Sequence, residues 1–229
     1  MDRRAWLDER RAAVEVDYDR DAPTYESGIY PISDEHRSFV ARVVDACPED
    51  GIVLDIPCGT GRYFELVTER GRRVVGADQS AGMADQARAL GLAETVEQVG
   101  LQELRQAATF DGVLCIDAME HVPPEDWPGV VANLGRALRA DGLLYMSLEV
   151  IADQEAYLEG AYAEAIAAGL PIVRGEAIGD DTGGYHFYPS DAQVETWLAD
   201  AGVEIIDDVT AMTYGDWGYR HLLLRQRGS

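Results

Sequence analysis

Ile52-Val53-Leu54-Asp55-Ile56-Pro57-Cys58-Gly59-Thr60-Gly61-Arg62 is the stretch on which the reading of this chain turns. Three apolar residues end in a carboxylate, a glycine turn follows, and a helix-like segment begins at Tyr63. This is a strand, a sharp turn and a helix in succession. Gly59 and Gly61 are expected to leave bare backbone N–H groups facing a crevice, which suits a ligand with a sugar and a charged end. A nucleoside-containing cofactor is therefore expected at this turn, with a substrate held beside it.

Outward from this stretch the pattern alternates. Strands are expected at Ile52–Asp55, Arg73–Ala77, Thr95–Val99, Phe110–Ile116 and Leu143–Leu148. Helices are expected at Tyr63–Glu69, Ala81–Leu90 (capped by Ser80) and Trp127–Leu138. Strands alternating with helical periods predict a parallel sheet covered by helices on both faces. Upstream, Asp2–Val16 carries an apolar stripe of Trp6, Leu7, Ala13 and Val14, and residues 17–25 read as a polar loop or short helix. Ser33 with Asp34 and Glu35 starts a helix that Pro48 ends. After Leu148 the alternation breaks. Ala152–Ala168 reads as helix, and Leu170–Pro189 as a long irregular connection carrying His186, of a length that is uncommon without a function. Ser190 to Gln193 is a capping box. Strands Glu204–Thr213 and Tyr219–Arg225 close the chain as an antiparallel hairpin.

The chain has 229 residues and a formal charge of −23, and 47% of it is apolar. It can fill a core. The charge repels polyanions, so no nucleic-acid partner is expected. The three cysteines are scattered and show no metal or disulfide spacing, which fits a reducing, cytoplasmic setting. No apolar run reaches membrane length, and the N-terminus has no signal-peptide core, so no membrane partner is expected.

Asp55 to Gly61 matches neither the dinucleotide GxGxxG fingerprint nor a P-loop. It resembles the DxGxGxG turn of the class I S-adenosylmethionine-dependent methyltransferases of small-molecule type, with Pro57 at the first glycine position, where no N–H is available. Asp78, one strand–helix–strand unit on, matches the acidic residue that accepts the ribose hydroxyls. Phe110 to Val122, containing Asp117-Ala118-Met119-Glu120-His121, resembles the fourth motif of the family. The resemblance implies a Rossmann-like, doubly wound α/β fold. Its seven-stranded sheet would be mostly parallel with an antiparallel last strand. An N-terminal helical lid (1–48) would precede the core (49–229), which carries a substrate-cap insertion (151–189). It implies S-adenosylmethionine as cofactor and S-adenosylhomocysteine as product. The cofactor residues it points to are Tyr18, Tyr25, Asp55, Gly59, Gly61, Arg62, Asp78, Gln79, Met83, Leu101, Gln102, Asp117 and Ala118.

A sulfonium methyl is already activated, so the protein's main task would be placement, with a general base where the acceptor must lose a proton. Histidine titrates near neutrality. His186, among aromatic neighbours, and His121, in the fourth motif, are the candidates. Tyr30, Tyr188, Glu149 and Trp217 are expected to meet substrate, with Trp127 also in the cap. The aromatics and scarce cations there suit a neutral or cationic small molecule. No metal site is expected. The reading is methyl transfer to an O or N atom of a small metabolite, in secondary metabolism. Its competitors are a same-fold enzyme that cyclises or decarboxylates, and a non-catalytic cofactor-binding subunit. The N-terminal helix could dock on its own core or on a second copy, which leaves a homodimer open.

Overall fold

The computed structural model describes residues 2–179 and 184–227. Helix α1 (Arg3–Asp21) and the short α2 (Tyr25–Gly28) precede α3 (Asp34–Ala46). The alternating core follows as β1 (Ile52–Asp55), α4 (Phe64–Thr68), β2 (Arg73–Asp78), α5 (Ala81–Ala89), β3 (Thr95–Gln98), β4 (Phe110–Cys115), α6 (Trp127–Ala137) and β5 (Leu138–Ile151). Then come α7 (Gln154–Ala167), β6 (Glu176–Ile178), β7 (Tyr185–Phe187), α8 (Asp191–Asp200), β8 (Val203–Ala211) and β9 (Trp217–Gln226).

Seven strands form one sheet in the order β3-β2-β1-β4-β5-β9-β8. The β1–β5 pairings are parallel, and β9 runs antiparallel to both β5 and β8. The last strand alone is reversed, as expected, and it inserts between β5 and β8. Strand order reverses between β1 and β4, which opens a crevice beyond their carboxyl ends. Side-chain alternation divides the core between the two faces of the sheet. Leu54, Leu144, Met146 and Leu222 join one cluster with Trp6 and Leu7 of α1. Val53, Tyr145 and Leu223 join the other with Phe39 and Val43 of α3. Helix α1 thus docks on its own core.

Several local expectations are corrected. Of the two readings of residues 17–25, loop or short helix, the helical one holds: α1 runs through Asp21, and its end turns through a 3₁₀ segment into α2. Helix continues because Asp19 accepts hydrogen bonds from the Ser80 hydroxyl (2.5 Å) and the Gly82 amide (2.8 Å), so the segment is held by α5 rather than by its own propensity. Strand β5 begins at Leu138, and the expected Asp141–Gly142 turn is a kink within it at Asp141, φ +65°. The irregular connection contains a two-stranded ribbon, β6 paired with β7, and His186 lies in β7. Residues 180–183 of that connection lie outside the described residues. Trp127 is not in a cap. It is fully buried, packed on Trp197 at 5.2 Å between ring centroids, because α6 buries its first turn. The capping box at Ser190 and Gln193 is present.

The glycine turn is seated by packing as well as by hydrogen bonds. Gly76 of β2 sits opposite Asp55, and a Cβ there would lie 2.6 Å from Phe64 Cζ and 3.1 Å from Cys58 Sγ. Phe64, the first residue of α4, is fully buried and cannot retreat. Gly76→Ala is expected to cost about 1–3 kcal/mol by overpacking, measured by denaturant unfolding. Unchanged stability would show that the seat is loose.

Candidate active site

Two clefts lie beyond the strand ends and share a wall. The first, of ≈ 900 Å³, runs from the glycine turn past the ends of β2 and β4. Of the thirteen residues expected at the cofactor, eleven line it: Tyr18, Tyr25, Gly59, Arg62, Asp78, Gln79, Met83, Leu101, Gln102, Asp117 and Ala118. Asp55 and Gly61 do not. The second cleft, of ≈ 2040 Å³, is lined by His121, His186, Tyr30, Tyr188, Glu149 and Trp217, which are all the residues expected at base and substrate. Tyr18, Tyr25, Ile29, Arg62, Asp117 and His121 line both clefts.

The turn itself departs from expectation. Its amides are not bare: the Gly59 N–H donates to Asp78 Oδ2 (2.9 Å) and the Gly61 N–H to the Cys58 carbonyl (2.9 Å). The two glycines serve different ends. Gly59, at φ +53°, has nothing within 4 Å of a built Cβ, so a side chain there would point into the cleft. Gly61, at φ +86°, would meet Phe64 and Leu90 within 2.9 Å, so it serves packing. Asp55 is buried beneath the turn. Among the described residues neither of its oxygens has a hydrogen-bond partner, and burial, then Asp78 and Asp117, push its carboxyl well up.

Asp78 accepts from two amides, Gly59 and Ser80 (2.8 Å), yet burial outweighs them and raises its pKa to about 6. Each carboxylate oxygen has a second lone pair for a hydroxyl donor. Met83 and Leu101 supply an apolar slot beside it, both buried. An acceptor pair, an apolar slot and the open space over Gly59 fit a nucleoside. Arg11, which the sequence did not single out, closes this end: it bonds Glu103 at 2.8 and 2.5 Å and Gln79 at 3.3 Å. Gln102 is drawn partly aside, its amide 3.5 Å from Asp126.

At the shared wall, Asp117 has φ +52°, a left-handed value that costs free energy for a non-glycine residue. Its carboxylate is held by His36 Nε2 (3.1 Å) and the Ser147 hydroxyl (3.0 Å), and its own N–H donates to Ser147 Oγ (2.9 Å). His36 is buried and its other ring nitrogen pairs with Ser33 (2.9 Å). Read only as part of a helix start, His36 gave no signal of this role, because its partner is 81 positions away.

His121 is tied at both ring nitrogens. Nδ1 lies 3.2 Å from the Tyr185 carbonyl and Nε2 3.0 Å from the Tyr18 hydroxyl. A carbonyl only accepts, so Nδ1 carries the proton and Nε2 accepts from Tyr18. Burial, then the neighbouring His186, lower the His121 pKa to about 4, and burial keeps the Tyr18 phenol protonated. The rings of His121 and His186 are 5.0 Å apart, and His186 stacks on Tyr188. Tyr30 is exposed and packs on Tyr214 and Trp217.

Residues 53–142 match the family described as a methyltransferase domain. Curated relatives match about three quarters of the chain or more. The ubiquinone biosynthesis O-methyltransferase of Xanthomonas oryzae pv. oryzae is 27% identical over 220 residues, 93% of this chain and 86% of the relative. The chain is similar in sequence and in fold to class I S-adenosylmethionine-dependent methyltransferases. The protein of the same description from Nitrosococcus oceani is 29% identical over 178 residues, covering 75% of this chain and 70% of its own length. Solved structures share the fold of this chain. The magnesium protoporphyrin IX methyltransferase of Synechocystis PCC 6803 with bound S-adenosylhomocysteine has a TM-score of 0.66 and 20% identity, covering 94% of this chain and 99% of that one. The Burkholderia thailandensis 1,6-didemethyltoxoflavin-N1-methyltransferase has a TM-score of 0.69 and 17% identity, covering 100% and 92%.

If Asp78 accepts the ribose hydroxyls it does so in its ionised form, which is lost as pH falls through about 6. Affinity for S-adenosylhomocysteine, titrated calorimetrically, should be level above pH 7 and decline below 6. In Asp78→Asn the affinity should be low and the decline absent. Affinity that does not vary between pH 5 and 8 in the native protein would remove Asp78 from ribose binding.

Proposed function

We propose that this enzyme methylates an oxygen of a small ring-bearing molecule seated in the larger cleft. The observation that carries the reading is the shared wall: His121 faces both clefts with Nε2 turned to a hydroxyl donor. The relatives named as O-methyltransferases support an oxygen acceptor. Asp78 would hold the ribose, Met83 and Leu101 the base, and Tyr18, Tyr25, Arg62, Asp117 and Ala118 the amino-acid end. S-adenosylmethionine, when bound, supplies a methyl group on a sulfonium that needs no further activation.

The rest follows from the chain's own groups. An acceptor hydroxyl entering the larger cleft takes the place of the Tyr18 hydroxyl as donor to His121 Nε2. The Tyr185 carbonyl holds the ring so that this nitrogen, and not Nδ1, keeps its lone pair. A base of pKa about 4 is weak. It takes the proton as the new oxygen–carbon bond forms and the acidity of the oxygen rises, so placement carries more of the rate than basicity. His186 lines only the larger cleft, where its stack on Tyr188 orients the acceptor ring. In this reading, residues 1–48 are a lid latched to the core (49–229) by Arg11 and Asp19, and residues 151–189 are a substrate cap. Lid opening would exchange the cofactor and closure would exclude water.

Because the lowered His121 pKa keeps its ring neutral, turnover at saturating cofactor should not fall as pH drops through 6.5. It should fall only on approach to about 4. His121→Asn should lose on the order of 10²–10⁴ in turnover, with cofactor affinity retained. Full turnover in that variant, measured by S-adenosylhomocysteine release, would leave placement alone as the source of the rate.

A further inference from the structure

The larger cleft has a charge pattern that the transfer of a methyl group does not require. Asp21, Asp117, Glu120, Glu149 and Asp216 line it, against the single guanidinium of Arg62. Arg62 is already engaged, donating to the Tyr30 carbonyl at 2.7 Å and facing Glu26 at 3.6 Å. Asp117 is occupied by His36 and Ser147.

Glu120 stands apart from the other acids. It is only 7% exposed, and among the described residues its Oε2 has no hydrogen-bond partner. Its other oxygen lies 4.0 Å from His121 Nε2, beyond hydrogen-bond reach. That ring is neutral and already accepts from Tyr18, so it offers neither a charge nor a proton. A buried carboxylate oxygen without a donor is costly unless something completes it. Glu149 lines the same cleft, accepting from the Tyr188 hydroxyl at 3.2 Å with His186 Nε2 at 3.9 Å. Around these two acids stand the rings of Tyr188 and Tyr157, packed edge to face at 6.2 Å. Aromatic faces attract cations. Burial, then Glu149 and Asp117, push the Glu120 carboxyl well up, and a cation in the cleft would draw its proton off.

We propose that Glu120 and Glu149 form a subsite for a protonated amine on the acceptor, so that the substrate class is a hydroxylated aromatic amine and not a neutral phenol or a carboxylate. The amine is the handle and the hydroxyl the methylated group, so the subsite rests on the methyl-transfer reading above. An amine bound there exchanges its water for a carboxylate donor–acceptor pair and ring faces. A carboxylate in the same place would meet Glu120 and Glu149, and Arg62, which lines the cleft, is already engaged.

Three probes of one shape and different charge test this: tyramine, 4-ethylphenol and 3-(4-hydroxyphenyl)propionate. Each is titrated calorimetrically into the full chain saturated with S-adenosylhomocysteine near pH 7.5. Tyramine is expected to bind about tenfold or more tighter than 4-ethylphenol, as a charged hydrogen bond requires, and the propionate weakest. The preference should collapse in Glu120→Gln and in Glu149→Gln, each with S-adenosylhomocysteine affinity kept. Retained S-adenosylhomocysteine binding with no preference for tyramine, no tyramine binding at millimolar concentration, or a preference that survives both substitutions overturns the subsite alone. Failure of the native protein to bind S-adenosylhomocysteine overturns the methyl-transfer reading, and the subsite with it.

Discussion

One carboxylate holds the site together. Asp78 ends β2 and accepts at one oxygen from Gly59, in the turn after β1, and at the other from Ser80, in the turn before α5. Hydrogen bonds to a charged group contribute roughly 1.5–3 kcal/mol each, and here they fasten two separate strand–helix turns to one side chain. Ser80 carries the link further. Its hydroxyl accepts from Met83 at the head of α5 and donates to Asp19 of α1. Glycine turn, strand end, helix start and N-terminal helix are thus joined in series. The order of α1 and the shape of the smaller cleft are consequences of the same group. Burial raises the pKa of Asp78 in spite of both amides, so the clamp sits close to the pH at which it would weaken.

This dependence explains what could be read in the chain and what could not. The strands and the order of their helices were legible because apolar runs and helical periods are local. Asp78 was legible because its distance from Asp55 is one strand–helix–strand unit. The capping box at Ser190 was legible for the same local reason. What escaped depends on contacts across the fold. Residues 17–21 are helical because Asp19 meets Ser80 and Gly82. Gly59 spends its N–H on Asp78 and not on a ligand. Trp127 reads as part of the cap because buried and exposed aromatics cannot be told apart from sequence. Its burial follows from α8 packing over it, and Trp197 is 70 positions away. The β6–β7 ribbon is three residues a strand, too short for a period-2 pattern to register.

The two clefts are kept in register by residues that pay for their position in different ways. Asp117 holds a left-handed backbone at the end of β4, and the strain is met by Ser147 and by a histidine from α3. His36 packs edge to face on Tyr219 and His221, both in β9. The reversed strand therefore backs the wall between the two clefts. A shift of β9 would be felt first at Asp117, because the interior there is close-packed and has no slack to absorb it.

The same wall sets the balance of charge on its far side. Neutral His121 and buried Glu120 are neighbours in sequence and in space, and burial disfavours the charged form of each. The Tyr185 carbonyl and the Tyr18 hydroxyl satisfy both ring nitrogens in the neutral form, so protonating the ring would expel Tyr18 as a donor. In the proposed reading, His121 Nε2 exchanges the Tyr18 hydroxyl for the acceptor's, and as an acceptor it offers Glu120 no proton. Glu120 in turn, its carboxyl pushed well up by burial and by Glu149 and Asp117, has no donor at Oε2 among the described residues. On the proposed reading, the fixed tautomer of His121 divides the larger cleft into a place that takes a proton and a pair of acids that would take a cation.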